Sequence, residues 1–543
     1  MGSRKDRSWT ALVISLLGVC FFAGLESIGL VGPDEPRYAW IARAMARTGD
    51  WITPRLWGHA WFEKPILYYW SAAAWFRLVG PGDRAARLPS AMGALAGALL
   101  LAWAAWRLYG SGPAKLVLVI FPTTLGLFAF AHAATMDMLL TVSVEAAMVA
   151  ALFTVGWPSA TREDAANAKT WPLLATGAFI GLGTLAKGPV SILLAGGSVL
   201  LWAALTRRWH DALRFLRWEP LAAFAVVAVP WYAACSIANP SFPHAFLWHQ
   251  NVQRFLTPVF EHVRPWWFFF PVLILGLLPW TATLLPAARD GWKMFRDGRA
   301  ARSPGLFVAC WAAFPLLFFS FSDSKLPGYI LPALPPLVFL MARTIDRGAA
   351  GPHAREKSFR GLDRWAIALV GLTWVALSVT AGHWLRRLPK TWDISHRDLI
   401  LGVLAATATV GAIVILLGLT GRVRRAVGLS ALSMGVLVAA VAWVFMPQVD
   451  PYLSARHAAQ AVRQAAGPSA IIEDYRLPRD WAYGLDYYLD RELPEWSPAQ
   501  KQPAWVCTMQ PFLPEIAQGG LRITSTTGLS RKLVLVRVSG AGP

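Results

Sequence analysis

Asp34-Glu35-Pro36-Arg37-Tyr38 gathers two carboxylates, a guanidinium and a phenol within five residues. Phe62-Glu63-Lys64-Pro65 sets a carboxylate beside an ammonium, with Trp61, Tyr68 and Tyr69 close by. Further along stand His132 and Asp137, then Lys187 in Ala186-Lys187-Gly188-Pro189, then His249 with Arg254, then Asp323, Lys325 and Tyr329. Such cations suit a phosphate: lysine acts as a compact point charge, and arginine grips two oxygens through its planar fork. A carboxylate beside a held phosphate suits base catalysis or stabilisation of a positively charged sugar carbon. A Glu and a His from distant loops could also share a divalent metal such as zinc. Each group has a plainer reading too. Asp34 and Asp137 could simply cap helices, Glu63-Lys64 could decorate a surface, His249 could be a hydrogen-bonded loop residue, and Lys187 a turn residue.

Hydropathy decides what must position these groups. The 543 residues are 56% hydrophobic and only 15% charged, against roughly 25% charged in soluble chains. Disorder, collagen-like repeats and a disulfide scaffold are excluded, and Cys20, Cys235, Cys310 and Cys507 lack metal-ligand spacing. A bilayer crossing takes ~20 mostly apolar residues. Thirteen segments qualify: 9–31, 88–107, 113–131, 136–157, 171–186, 188–206, 218–237, 266–288, 304–322, 326–343, 364–385, 398–419 and 425–446. The first is read as a span rather than a cleavable leader. Residues 66–79 are apolar but short, as in an interfacial or re-entrant helix. Residues 36–47 predict an amphipathic helix lying on the bilayer, with Tyr38, Ile41 and Met45 on its apolar stripe.

The net charge of +20 is read as basic loops held on the cytoplasmic side, not as a nucleic-acid surface. Arg4, Lys5 and Arg7 place the start of the chain inside, and each even-numbered loop that follows is basic. Two outer loops are basic as well: 386–397, and 32–87, which holds eight Lys and Arg. The excess in 32–87 suggests a role in binding anionic groups. On this topology Asp34, Glu63, Lys64, Asp137, Lys187, His249, Arg254 and Lys325 all reach the outer face. The expected organisation is a transmembrane catalytic domain, 1–446, with outer loops 32–87 and 238–265, followed by a small soluble α/β domain, 447–543. Within the latter, 470–474 and 531–538 read as strands and 454–466 as a helix. Glu26 and Glu145 are the main charges inside spans.

Asp34-Glu35-Pro36-Arg37-Tyr38-Ala39, Gly49-Asp50-Trp51, Pro54-Arg55-Leu56 and Phe62-Glu63-Lys64-Pro65 resemble the first outer loop of the aminoarabinose (4-amino-4-deoxy-L-arabinose) lipid A transferases. These are relatives of the bacterial protein mannosyltransferases within the polyprenyl-phosphate-sugar transferases. Leu185-Ala186-Lys187-Gly188, Asn251-Val252-Gln253-Arg254-Phe255, Lys325-Leu326-Pro327 and Tyr329-Ile330-Leu331-Pro332 also match. The resemblance implies a polytopic α-helical membrane protein of the GT-C glycosyltransferase type, with about thirteen spans and an outer C-terminal domain. It implies that Asp34 and Asp137 line a catalytic cavity, and that Lys64 and Arg254 hold the donor phosphate with Tyr38 and Tyr329 alongside. Arg37, Lys187 and Lys325 join that phosphate set, and Lys64 also counts among the catalytic groups. A divalent metal is implied on Glu63 and His249, although Gln250 stands where relatives often carry His and His262 competes for the role.

The resulting expectation is an inner-membrane glycosyltransferase with a periplasmic site, moving a sugar from a polyprenyl-phosphate donor to lipid A or another periplasmic acceptor. The partners are the donor, the acceptor and the bilayer, with no nucleic acid. A protein or another glycan is the alternative acceptor. A transporter or lipid flippase is the reading from a different class, and would show charges near mid-bilayer, broken helices and repeated halves.

Overall fold

The computed structural model describes residues 4–157, 170–253, 264–298, 303–322, 324–349, 357–388, 394–467, 470–500, 503–518, 521–530 and 532–540. Among them, seven helices are long and apolar enough to cross a membrane, or nine if each of two bent pairs is one span. The bends lie between Ser111–Ile120 and Leu125–Ala131 (61°) and between Trp266–Gly276 and Thr281–Arg296 (107°). The remaining four predicted spans fall on shorter helices: Ser8–Phe22, Trp171–Lys187, Val190–Thr206 and Pro304–Ser320. The chain is a polytopic membrane protein.

Three local readings are corrected. The first helix, Arg4–Phe22, stops well short of residue 31. Gly24 takes a left-handed φ of 76°, and a Cβ there would lie 2.5 Å from that of Ala442. Close approach to the last membrane helix therefore breaks the first one. The apolar stripe of the Asp34–Thr48 helix is covered by protein. The helix buries Tyr38, Ala39, Ile41, Ala42, Arg43 and Met45 against the Leu67–Val79 helix and against Arg479–Leu489 of the C-terminal region. Arg43 donates to the Tyr487 carbonyl (3.0 Å) and lies over the Tyr487 ring. Finally, neither Asp34 nor Asp137 caps its helix through its side chain.

Leu67–Val79 is about 20 Å long at helical rise, too short to cross, and it buries Tyr68, Tyr69, Ala72, Ala73 and Phe76. The predicted spans 171–186 and 188–206 are two separate helices, parted at Gly188 (φ 85°) and Pro189.

The C-terminal region forms a four-stranded sheet in the order Ile472–Tyr475, Ala504–Met509, Leu533–Gly540, Leu521–Gly528. The first pairing is parallel and the other two antiparallel. Strand alternation turns Leu533 and Leu535 to one core, under the helices Arg456–Ala466 and Arg479–Leu489. Val534, Val536 and Val538 go to a second core with Trp496 and Ile516. Two of these strands, Ala504–Met509 and Leu521–Gly528, and the Arg479–Leu489 helix go beyond the elements read from the sequence.

Candidate active site

The chain that follows the first helix turns at Gly32 (φ 67°) and starts the Asp34–Thr48 helix directly after Pro33. That first turn carries Asp34, Arg37 and Tyr38. The loop that answers it runs through a two-residue hairpin between Arg55–Leu56 and His59–Ala60. Its corner residues, Trp57 (φ 50°) and Gly58 (φ 86°), both have the positive φ that tight hairpin turns need. The hairpin returns the chain so that Glu63 meets the helix start.

Arg37 is the hub of this first group. Its guanidinium pairs with Asp34 at 2.5 Å and with Glu63 at 3.0 Å, and Lys64 lies 3.3 Å from the other Glu63 oxygen. Three rings surround the guanidinium within 5.2–5.5 Å: Tyr38, Trp61 and, from the C-terminal domain, Tyr483. Tyr483 also stacks on Trp57 (5.4 Å). Burial pulls the Arg37 pKa down, but Tyr38, Glu63 and Asp34 more than offset this and raise it. Burial, then the Glu63 and Asp34 charges, push the Tyr38 phenol well above its usual range, so it stays a neutral hydrogen-bonding group. Asp34 is the open member, its side chain 52% exposed.

A second group forms around Asp137, which opens the helix Asp137–Thr154. Asp137 pairs with Lys187, the last residue of the helix Trp171–Lys187. The Lys187 ammonium lies 5.1 Å from the centre of the Tyr329 ring. Tyr329 belongs to a tight helical turn, Pro327–Ala333, where a Cβ on Gly328 would come within 3.0 Å of an Asp137 oxygen. The two groups flank one apolar cluster, in which Met136 and Leu185 pack with Tyr38, Tyr68 and Tyr69.

Other predicted residues fare differently. Lys325 is buried, and its ammonium donates to the carbonyls of Ser322 and Arg264, so it fastens a turn. His132 is taken up by the backbone, its ring nitrogens lying 3.0 Å from the Phe128 carbonyl and 3.1 Å from the Ala23 carbonyl, oxygens that can only accept. Arg254, Asp323, Glu261 and His262 lie outside the described residues. His249 is exposed on the segment His244–Gln253, which is docked beside the Glu63 loop by the Phe62–Phe242 contact (5.2 Å) and the stacking of Phe242 on Phe246. Glu63 itself has a cation on each oxygen, and among the described residues no three His, Cys, Asp or Glu side chains gather as metal ligands. Glu145 is fully buried, and its carboxyl has no hydrogen-bond partner among the described residues.

Sequence reading singled out Glu35 but missed its partner, Arg87. Arg87 spends all five of its N–H donors: two on Glu35 (2.6 and 3.1 Å), the others on the carbonyls of Leu25, Ile28 and Gly29. Glu35 also accepts from the amides of Val31 and Ala134. The available signal was an arginine at the very edge of the second span, a position that demands a partner.

Comparison with known proteins places this geometry. Residues 21–246 match the family model described as dolichyl-phosphate-mannose-protein mannosyltransferase. Among solved structures, ArnT from Cupriavidus metallidurans bound to undecaprenyl phosphate is similar over 98% of each chain, at 25% identity and a TM-score of 0.79. The fold is therefore that of the GT-C membrane glycosyltransferases. Two relatives are named undecaprenyl phosphate-alpha-4-amino-4-deoxy-L-arabinose arabinosyl transferase. The one from Edwardsiella ictaluri is 32% identical over 69% of this chain and 66% of its own length. The one from Pseudomonas aeruginosa (strain UCBPP-PA14) is 32% identical over 75% and 71%. The match thus spans just under two thirds of the Edwardsiella protein, and somewhat more of the Pseudomonas one. The chain belongs to this arabinosyl transferase family.

Proposed function

We propose that the chain transfers 4-amino-4-deoxy-L-arabinose from a polyprenyl-phosphate donor to lipid A, on the periplasmic side of the inner membrane. The bond between the sugar's anomeric carbon and the phosphate oxygen breaks, and an acceptor oxygen takes its place. Arg37 and Lys64 begin in balance with Asp34 and Glu63. A donor phosphate arriving beside Lys64 competes with Glu63 for it, and Lys64 then offsets the charge left on the departing carrier. Arg254 is assigned to the same phosphate. Asp34, the exposed carboxylate, faces charge developing at the sugar carbon or orients the acceptor. A lipid A phosphate is already anionic and needs little help from a base. Asp137, Lys187 and Tyr329 form the second wall.

The observation that carries this reading is the likeness, over nearly the whole of both chains, to a structure bound to undecaprenyl phosphate. A flippase would move the donor uncleaved. The test is release of sugar from a polyprenyl-phosphate sugar by the purified chain, with mass spectrometry of the lipid A product. Lys64→Ala should abolish transfer while insertion and folding persist; normal turnover in that variant overturns the phosphate role. The reading routes no step through a divalent ion on Glu63 and His249. Elemental analysis of the chain and of Glu63→Gln tests that ion separately: one equivalent lost in the variant establishes it, and none in the parent removes it.

A further inference from the structure

A chamber of about 390 Å³ opens between the helices Leu284–Arg296, Pro304–Ser320 and Leu334–Ala349. That is within the range of small-molecule sites, roughly 300–1,000 Å³. Its body is lined by Leu284, Ala309, Ala313, Leu316, Leu337 and Leu340. Apolar chambers of this kind do not hold water well. One end is different in kind, with Arg343, Arg347, Ser303, Thr344 and Asp290.

Arg343 is 8% exposed, its guanidinium lies 4.3 Å from the centre of the Tyr109 ring, and its Nε–H has no hydrogen-bond partner among the described residues. Gly305 makes room for it, since a Cβ there would come 2.5 Å from Arg343 Nη1. Arg347 follows four residues on, along the same helix face, and is exposed. The helix that forms one wall, Leu284–Arg296, is amphipathic. Trp292 and Phe295 are exposed and stacked on each other, while Arg289, Lys293 and Arg296 supply its charge, the pattern of a helix at a lipid headgroup boundary.

We infer that this chamber binds an anionic glycerophospholipid, with one acyl chain in the apolar body and the phosphate at Arg343 and Arg347. The assignment rests on charge complementarity: two guanidiniums, one of them buried with a donor that has no partner among the described residues, line one end of an apolar space. Asp290 at the same end leaves a net positive mouth. The site is separate from the one around Lys64. Arg343 stands fourteen residues after Tyr329 on one continuous helical stretch, about 20 Å away at helical rise, and at the end where the basic loops lie. A lipid held there would tie three helices together on the inner leaflet, and the inference does not depend on the sugar-transfer reading.

The test is lipid binding to the full purified chain by native mass spectrometry, with added phosphatidylglycerol as the probe. Expected is one phosphatidylglycerol bound per chain after delipidation and reloading. Arg347→Ala, an exposed change that should not disturb folding, should weaken it about fivefold. Ala309→Phe, which fills the chamber, should abolish it, and sugar transfer should stay at the parent rate in Arg347→Ala. Equal binding to parent and both variants overturns the site. So does equal competition by inorganic phosphate, or a preference for polyprenyl phosphate over phosphatidylglycerol.

Discussion

Asp34 and Glu35 are neighbours in the chain with opposite surroundings. The Glu35 carboxylate is 7% exposed, has both oxygens bonded to Arg87, and accepts two backbone amides besides. The Asp34 carboxylate is half exposed and has an arginine, Arg37, that it shares with Glu63. The first arrangement is closed: every donor on Arg87 is used, and a ligand would have nothing to gain there. The second is open, with one carboxylate facing solvent and its cations able to exchange partners. Burial and saturation mark the charge that holds the fold, and partial exposure marks the charge available to a substrate.

The largest expected effect comes from opening the closed cluster. Arg87→Ala leaves Glu35 buried without its cation and strands three backbone carbonyls. Breaking such a pair costs about 3–5 kcal/mol, so thermal unfolding in detergent should show a grossly destabilised or unrecoverable protein. Stability close to that of the parent would dissolve the distinction between the two carboxylates. Next, Asp34→Asn should lower transfer roughly 10²–10³-fold, the scale of removing one preorganised electrostatic group, with the unfolding temperature unchanged. Unfolding in this variant with activity per folded molecule intact would reverse the assignment.

A smaller effect is expected at Tyr483, which brings the C-terminal domain onto Arg37. Removing one of three rings from a cation costs about 0.5–1 kcal/mol. Tyr483→Ala should therefore raise the KM for donor a few-fold with little change in kcat, and Tyr483→Phe should restore it. The mildest prediction adds a third fate for a carboxylate. Burial pushes Asp486 up to about 7, with the charges of Asp474 and Glu492 adding to this, and pushes Asp474 to about 6 with help from Glu495. Both lie above the unfolded value of roughly 3.9, so the folded domain holds these protons more tightly. Its stability should fall as pH rises from about 4 to about 7 and then level off. Melting of the domain should occur at lower temperature at pH 8 than at pH 5, and Asp486→Asn should remove most of that slope.

How far the sequence spoke for itself follows from the range of the forces involved. Membrane helices announce themselves by local hydropathy, and each predicted span falls on a helix or bent pair. Asp34 with Arg37, three residues apart, was equally open to reading. The partnership of Asp137 with Lys187, fifty residues on, was not, although each was singled out alone. Glu35 with Arg87, and Arg37 with Tyr483, are set by packing between distant segments that leaves no periodic trace. The Asp34–Thr48 helix was misplaced for the same reason: its stripe of Tyr38, Ile41 and Met45 is genuine, but what covers it arrives from residues 67–79 and 479–489.

One connection bears on how the molecule is made. Asp450, fully buried, accepts from the Gly29 amide (2.7 Å) and from Arg456. Arg456 reaches Asp83 at 3.0 Å, while Tyr488 donates to Asp83 and accepts from the Leu30 amide. Gly29 leaves room for this knot, as a Cβ there would strike Ser454 and Tyr488. Residues translated early thus wait for residues translated 373 to 458 positions later. Until the ribosome has delivered them, the newborn protein sits in the bilayer with its early loops unlatched, and competence arrives only after residues 450–488 have been made.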